Sequence, residues 1–264
     1  MNCPRCDSSN ILQRKAKTKR SFNQYQCRHC VKYFNECTRS IYNFTHYPSE
    51  IIRLVIFFYY RYKLSLVDVT EIMALRGIII SHETVRQWAQ RFGVDIGIKF
   101  RARRWENVGK KWHMDSTYLQ IKGHWYYLYR AIDRSGDLID VYLSDTRDKK
   151  AAKRFFSQCA KTSGIIPQQI TTDKEPGFAN AIKGAFAPAV IHRDSKYLNN
   201  RMEANHRGLK SWYYPMKGFK DAWCAMISCH VFEEIQQFFR HKLPLSQHRK
   251  FIASKFQDML KIAT

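Results

Sequence analysis

Three strand-like stretches separated by two tight turns, the first in period-two alternation, constrain this chain more than any other feature. Trp112, Met114, Ser116 and Tyr118 alternate with His113, Asp115, Thr117 and Leu119. Successive side chains of a strand point to opposite faces, so this pattern reads as a strand with one buried face. Lys122-Gly123 is a turn, and Trp125 to Ile132 is rich in aromatic and β-branched residues. Ser135-Gly136 is a second turn, followed by a third strand from Leu138 to Leu143. Three strands joined this tightly predict an antiparallel meander.

Beyond Leu143 the period changes. Lys149 to Ser163 places Ala152, Phe155, Phe156 and Cys159 on one helical face. Gln169 to Thr172 reads as a fourth strand, ended by Asp173, and Pro176 to Phe186 as a helix. Ala189 to His192 is a short fifth strand, and Arg201 to Trp212 a helix carrying Glu203. The order βββαβαβα predicts an α/β fold, a mixed sheet with helices on both faces.

Carboxylates at these positions suggest chemistry. Asp115 lies mid-strand among aromatic and apolar neighbours, where an unpaired charge is costly and a metal or other cation would offset the cost. Asp173 directly follows a β-rich run, and could also cap the next helix. Glu203 could equally pair with Arg207 one turn on, and Glu175 competes with it as a third acid near Asp173. Two carboxylates ending strands and a third on a following helix could hold a pair of magnesium ions, a device that clamps the attacking and leaving oxygens of a phosphoryl transfer. Asp133, Asp137, Asp140, Asp145 and Asp148 read as turn and surface residues.

The charge balance names the partner. Lys and Arg number 45 against 22 Asp and Glu, a formal charge of +23 spread along the whole chain. A field of that sign favours a polyanion, and with 14% aromatics it favours nucleic acid over a membrane surface. The N-terminus lacks the apolar segment of a signal peptide, and the apolar run Ile51 to Tyr60 is too short and too charged to span a bilayer. Eight cysteines without an export signal predict a reducing cytoplasm, where paired thiols more often bind metal than form disulfides.

Two such pairs stand at the front of the chain. Cys3-x-x-Cys6 and Cys27-x-x-Cys30 are separated by twenty residues, a spacing that completes a tetrahedron around one structural zinc ion. The intervening residues are basic and polar, with Phe22, Tyr25 and Tyr33 alternating as in short hairpin strands. Residues 1–40 are therefore expected to form a zinc ribbon. Three helices are expected next: Ile51 to Tyr62, a second from Leu64 ended by Arg76-Gly77, and a third from Glu83 to Phe92 capped by Ser81. Val85, Trp88 and Phe92 form a buried stripe on the third, while Arg86, Gln87, Gln90 and Arg91 lie off it and suit base edges and phosphates. Residues 45–98 thus read as a helix-turn-helix DNA-binding domain. Residues 99–111 read as a basic linker tracking phosphates, 112–242 as the catalytic domain and 243–264 as a basic C-terminal tail.

The chain resembles the bacterial insertion-sequence transposases of the insertion-sequence-six type, within the acidic-triad transposase and retroviral integrase group. The match is carried by Trp112 to Tyr118, Gly123 to Asp133, Thr172-Asp173-Lys174, and Asn199 to Glu203 with His206 and Lys210. Arg76-Gly77 and Thr84 to Trp88 match that family's DNA-binding helices. The resemblance implies a ribonuclease H-like fold and a DNA transposase that cleaves transposon ends and joins them to target DNA. It implies Asp115, Asp173 and Glu203 as the catalytic, metal-binding triad for two magnesium or manganese ions. It also implies Lys210, seven residues after Glu203, as a DNA contact. The partners would be double-stranded DNA and a second copy of the chain or more, in the bacterial cytoplasm and on the nucleoid. The interval from Asp173 to Glu203 is several residues shorter than expected of the family, and Asn205 stands where the family often has Asp. A DNA-binding regulator derived from an inactive transposase, and a nuclease without strand transfer, are the rival readings.

Overall fold

The structure, a computed structural model, describes the chain apart from residues 19–21, 105–107, 174–175, 187–189, 195–199, 217, 242 and 263–264, and apart from the side chains of 176 and 200–205. It divides into two compact units, Met1–Leu54 and Val55–Ala263.

The first unit is built on strands β1 (Ile11–Lys17), β2 (Asn23–Cys27) and β3 (Tyr33–Asn35), an antiparallel sheet in that order. The core beneath this sheet is minimal: Cys3, Cys27 and Phe34 are buried, with Ile11, Tyr25 and Cys30 packed around them. A core of this size supplies little folding energy by itself. Arg53 is buried against the Tyr42 ring, 4.8 Å from its centroid.

The second unit begins within helix α1 (Ser49–Arg61). Helix α2 (Leu66–Ala74) opens with a reciprocal cap: Ser65 Oγ accepts the Asp68 N–H, and Asp68 accepts the Ser65 N–H. Helix α3 (His82–Arg103) starts at the expected Ser81 cap but runs well past Phe92. Its continuation is driven by burial: Ile96 and Phe100 extend the apolar stripe, and Phe100 stacks on Phe238 at 3.8 Å. Gly93 permits the approach of its neighbours, since a Cβ there would lie 3.3 Å from both Tyr60 and Val231. The expected phosphate-tracking linker is therefore largely structural. Arg101 pairs with Asp140 at 2.9 Å, and Arg104 donates to the carbonyls of Leu138 and Ile139 at 2.6 and 2.8 Å. Trp105 lies outside the described residues.

The meander forms as expected from β4 (Lys111–Ile121), β5 (His124–Asp133) and β6 (Leu138–Ser144). Two further strands, β7 (Gln169–Thr172) and β8 (Ile191–Asp194), join in parallel beside β4, giving the order β6-β5-β4-β7-β8. The last begins two residues later than the sequence pattern suggests. Helices α4 (Lys149–Ser163) and α5 (Pro176–Phe186) cover one face, where Trp112, Met114, Tyr129, Phe155, Phe156 and Phe178 form the core. Asp148 caps α4, and Gly164 ends it in the left-handed conformation. Helices α6 (Asn200–Tyr213) and α7 (Ala222–Phe238) belong to a second layer with α1 and α3, joined by Trp212 stacked on Phe232 and packed against Tyr60.

Two expectations fail in this region. Asp133 and Asp140, read as surface residues, are buried. Asp133 accepts the N–H groups of Gly109 and Asp137, and Asp140 accepts from Arg101 and Gln158, so each charge is compensated inside the fold. The supposed C-terminal tail is helix α8 (Leu245–Ile262), which buries Met259 and sets Lys255 over the Phe238 ring at 4.8 Å. No helix among the described residues is long and apolar enough to cross a membrane.

Candidate active site

Two adjacent parallel strands set the geometry of the site. The β4–β7 register pairs Trp112 with Ile170 and His113 with Thr171. Asp115 and Asp173 each lie two residues beyond the last of these pairs, Asp173 directly after the end of β7. Residues level on neighbouring strands share a face, and strands lie ~4.8 Å apart. The sequence dictates which face: Trp112 and Met114 are buried under α4 and α5, so Asp115 points the other way, with Thr117 and Leu119. Asp115 Oδ1 accepts the Ser116 N–H at 2.7 Å, and Oδ2 lies 3.4 Å from Nε2 of His206. Its side chain keeps 15% of its surface exposed, so the carboxylate is flanked on two sides yet reachable. Beside it, Thr172 Oγ1 donates to the Asp173 carbonyl and contacts His192 Nε2 at 2.9 Å, which ties the end of β7 to β8. Burial, opposed by the Asp194 charge, holds the His192 imidazole below its usual value, so this strand-end contact is made by a neutral ring near pH 7.

The third acid comes from α6. His206, Leu209 and Tyr213 form that helix's buried stripe, and Glu203 stands one turn before His206 on it. Lys210, half-buried, follows His206 by four residues on the same face. Asp115 on β4 and the Glu203 backbone on α6 thus belong to elements in contact, and Asp173 follows the end of β7, the strand beside β4. The Glu203 side chain and its competitor Glu175 lie outside the described residues. His206 had no role assigned from sequence, although its spacing of three from Glu203 was the available signal.

The family model described as a DDE domain, of the IS240 transposase type, matches residues 109–242. That interval contains all the elements just described. A transposase of the insertion-sequence-like element IS431mec from Staphylococcus aureus is 35% identical over 173 residues, covering 64% of this chain and 76% of the relative. The chain belongs to the DDE transposases of the insertion-sequence-six type. The transposase of IS257 in transposon Tn4003, also from Staphylococcus aureus, matches to the same extent. Among solved structures, the magnesium complex of the HTLV-2 integrase catalytic core (dimeric form) aligns with 53% of this chain and 92% of its own, at 17% identity and a TM-score of 0.39. The catalytic core of BIV integrase aligns with 57% and 98%, at 12% identity and a TM-score of 0.37.

Two other groups of expected residues lie N-terminal to the matched domain of the transposase. The ligand atoms of Cys3, Cys6, Cys27 and Cys30 all fall within 4.8 Å of one another. Cys3 and Cys30 sulfurs are 3.6 Å apart and those of Cys6 and Cys27 3.5 Å. Both are far beyond a disulfide bond and close to the ~3.8 Å edge of a tetrahedron with ~2.3 Å metal–sulfur bonds. The Cys30 N–H, directed at Cys27 Sγ, draws that thiol down to about 6, toward the thiolate a metal requires. On α3, Arg86, Gln87 and Arg91 are exposed and Gln90 is half-buried. Arg86 and Gln87 are not idle: both donate to Glu83, Arg86 at 2.9 and 2.6 Å and Gln87 at 3.1 Å.

Proposed function

We propose that this transposase cuts DNA at the ends of its element and joins the freed 3′ ends to target DNA, with Asp115, Asp173 and Glu203 as ligands of two divalent ions. One observation carries the reading. β4 and β7 pair in parallel as far as His113 and Thr171, Asp115 and Asp173 each follow that pair by two residues, and His206 of α6 lies 3.4 Å from Asp115. An all-oxygen set of convergent carboxylates suits a hard ion such as magnesium or manganese. Bound there, divalent ions would polarise the attacking water or hydroxyl and stabilise the departing 3′-oxygen.

The protein's own groups do the rest. Asp115, which accepts the Ser116 N–H and lies beside His206, would hold the ions together with Asp173 and Glu203, and Lys210 would meet a phosphate near the reacting one. In the first step water attacks phosphorus and the 3′-oxygen leaves. In the second, that 3′-hydroxyl attacks a target phosphodiester and displaces a target 3′-oxygen, so no covalent protein–DNA bond is needed. The sheet order supports a ribonuclease H-like description of this domain. The four cysteines support a zinc ribbon with one structural zinc, and α2 with α3 a helix-turn-helix reading duplex DNA through Arg86, Gln87, Gln90 and Arg91. Two ends must be joined, so the working form is a homodimer or larger, on DNA in the bacterial cytoplasm.

The test is end cleavage and strand transfer with magnesium, for wild type and for Asp115→Asn, Asp173→Asn and Glu203→Gln. Each variant should lose orders of magnitude in rate and keep duplex binding. Full activity in Asp115→Asn would overturn the mechanism. Full activity in Glu203→Gln with loss in Glu175→Gln would reassign the third ligand.

A further inference from the structure

Strand β7 pairs with β4 only as far as His113, so the β4 edge beyond Asp115 needs another partner. Tyr213 supplies it: its hydroxyl accepts the Gln120 N–H at 2.7 Å and donates to the Gln120 carbonyl at 2.8 Å. The segment after α6 continues the edge, with Phe219 bridged to Ile121 and accepting the Lys122 N–H at 3.2 Å. Gly218 allows this approach. It has φ +94, and a Cβ there would meet the Gln120 carbonyl oxygen at 3.2 Å. Between this segment and the sheet lies a recess of 620 Å³ whose walls include Tyr118, Trp125, Tyr127, Lys210, Tyr213 and Tyr214.

The composition of this recess is unusual for a solvent-facing surface. The β4–β5 register sets Tyr118 opposite Tyr127 and Gln120 opposite Trp125, which puts the three rings on one face. Tyr118, Trp125 and Tyr214 remain 49%, 59% and 63% exposed. Tyr118 and Trp125 meet edge to face at 6.2 Å, and Tyr127 and the Arg147 guanidinium flank the Tyr118 ring at 5.3 and 5.5 Å, so the open ring surface of the recess is that of Trp125 and Tyr214. Lys210 supplies a cation in the wall, and Arg147 donates to the Tyr118 hydroxyl at 2.7 Å. No carboxylate lines the recess among the described residues.

Exposed ring faces bordered by cations and free of carboxylates match a flat, π-faced group with an anionic tail: a nucleobase and its phosphate. A base stacked within a duplex offers no face to such a wall, so the base it takes is unpaired. Tyr118 alternates to the face of β4 opposite Asp115, but Lys210 in the recess wall stands one helical turn, ~5.4 Å, beyond His206, which contacts Asp115. Helix α6 thus borders both the recess and the Asp115 site, within the reach of a neighbouring nucleotide. We infer that this recess holds an unpaired nucleobase of the DNA end, beside the nucleotide whose phosphate reacts. The inference rests on the transposase reading of the Asp115 site and adds to it a means of stripping and holding the strand end.

The test uses the full chain in calcium, so that binding is read without cutting. The probe is a duplex with a two-nucleotide unpaired 3′ tail bearing 2-aminopurine, compared with the blunt duplex and with a tail of abasic residues. Wild type should quench the tail fluorophore and prefer the tailed duplex roughly tenfold, a preference the abasic tail abolishes. Trp125→Ala should lose both signals with blunt-duplex affinity unchanged, and Trp125→Phe should restore them. Equal affinity for abasic and intact tails, or an unaltered tail preference in Trp125→Ala, would overturn the inference. Displacement of the tail by free deoxyadenosine monophosphate at stoichiometric concentration would also overturn it, making the recess a mononucleotide site. Failure of the transposase reading is seen separately, as absence of end cleavage by wild type in magnesium.

Discussion

His206 on α6 brings Nε2 to 3.4 Å from Oδ2 of Asp115 on β4. The contact joins a helix to a strand 91 residues earlier in the chain, and both side chains are nearly enclosed, at 8% and 15% exposure. It packs the imidazole against the Asp115 carboxylate where α6 meets β4. The Glu203 backbone stands one turn earlier on α6.

His206→Ala should therefore behave as the loss of a group that orients a metal ligand. End cleavage is expected to fall about 10- to 100-fold, with duplex binding unchanged. His206→Asn, which keeps a polar group facing Asp115, should recover part of the loss. Raising manganese should rescue the alanine variant further if the defect is ligand positioning. Activity of His206→Ala equal to wild type would show the contact to be incidental.

Zinc content provides a second check, on the N-terminal unit alone. The purified chain should carry one zinc, and Cys27→Ser should drop it below about half an equivalent. The three-stranded sheet has too small a core to stand alone, so chelation should also remove the protease resistance of residues 1–40. Retention of a full equivalent by Cys27→Ser would refute the four-cysteine site.

Glu83 restrains the residues expected to read DNA. Hydrogen bonds from Arg86 first and Gln87 next hold its carboxyl below the usual range, so it is charged at neutral pH and engages both. Glu83→Gln removes that negative charge and releases Arg86. Duplex affinity should rise severalfold at low salt, and the salt dependence should steepen by about one unit of slope. An affinity unchanged or lowered at every salt concentration would mean that this end of α3 does not face the phosphates.

Stability against pH tests the buried charges between α3, α7 and the sheet. Burial pushes Glu234 up to about 7, with Arg104 at 3.2 Å working against it. The folded state thus holds a proton on Glu234 that the unfolded state releases, and stability from this group is lost as pH rises from about 4.5 through 7. Burial pushes His230 down to about 4, opposed by Asp140 and aided by Arg101 and Arg104. Stability from that group is present above about 6.5 and lost as pH falls toward 4. The two slopes oppose each other between about pH 4.5 and 6.5 in the wild type. Glu234→Gln should expose the His230 slope, so that the urea midpoint climbs across that window, and His230→Gln should make it decline from pH 4.5 to 7. Parallel profiles in all three proteins would contradict both assignments.

Much of this molecule was written in short-range patterns. Alternation and tight turns placed β4, β5 and β6, and spacing placed α4, α5 and β7 at the bounds observed. Caps such as Ser81 and Asp148, and the paired cysteines, act over three or four residues, so the local sequence determines them without help from the fold. The family was legible for the same reason, in compact blocks around Asp115, Asp173 and Glu203. Only the tertiary structure decided which charges are solvated. Asp133 and Asp140 looked like turn residues because nothing nearby in sequence announces Gly109 or Arg101 as partners. The extension of α3 through a basic stretch depended on Phe238 stacking on Phe100 and on carbonyls of β6 receiving Arg104. His206 against Asp115, and the Tyr213 hydroxyl on the open edge of β4, bridge about ninety residues of chain. Contacts of that range carry no periodic signature. They exist because folding brings distant polar groups out of water together, where each must find a partner or bear the cost of burial.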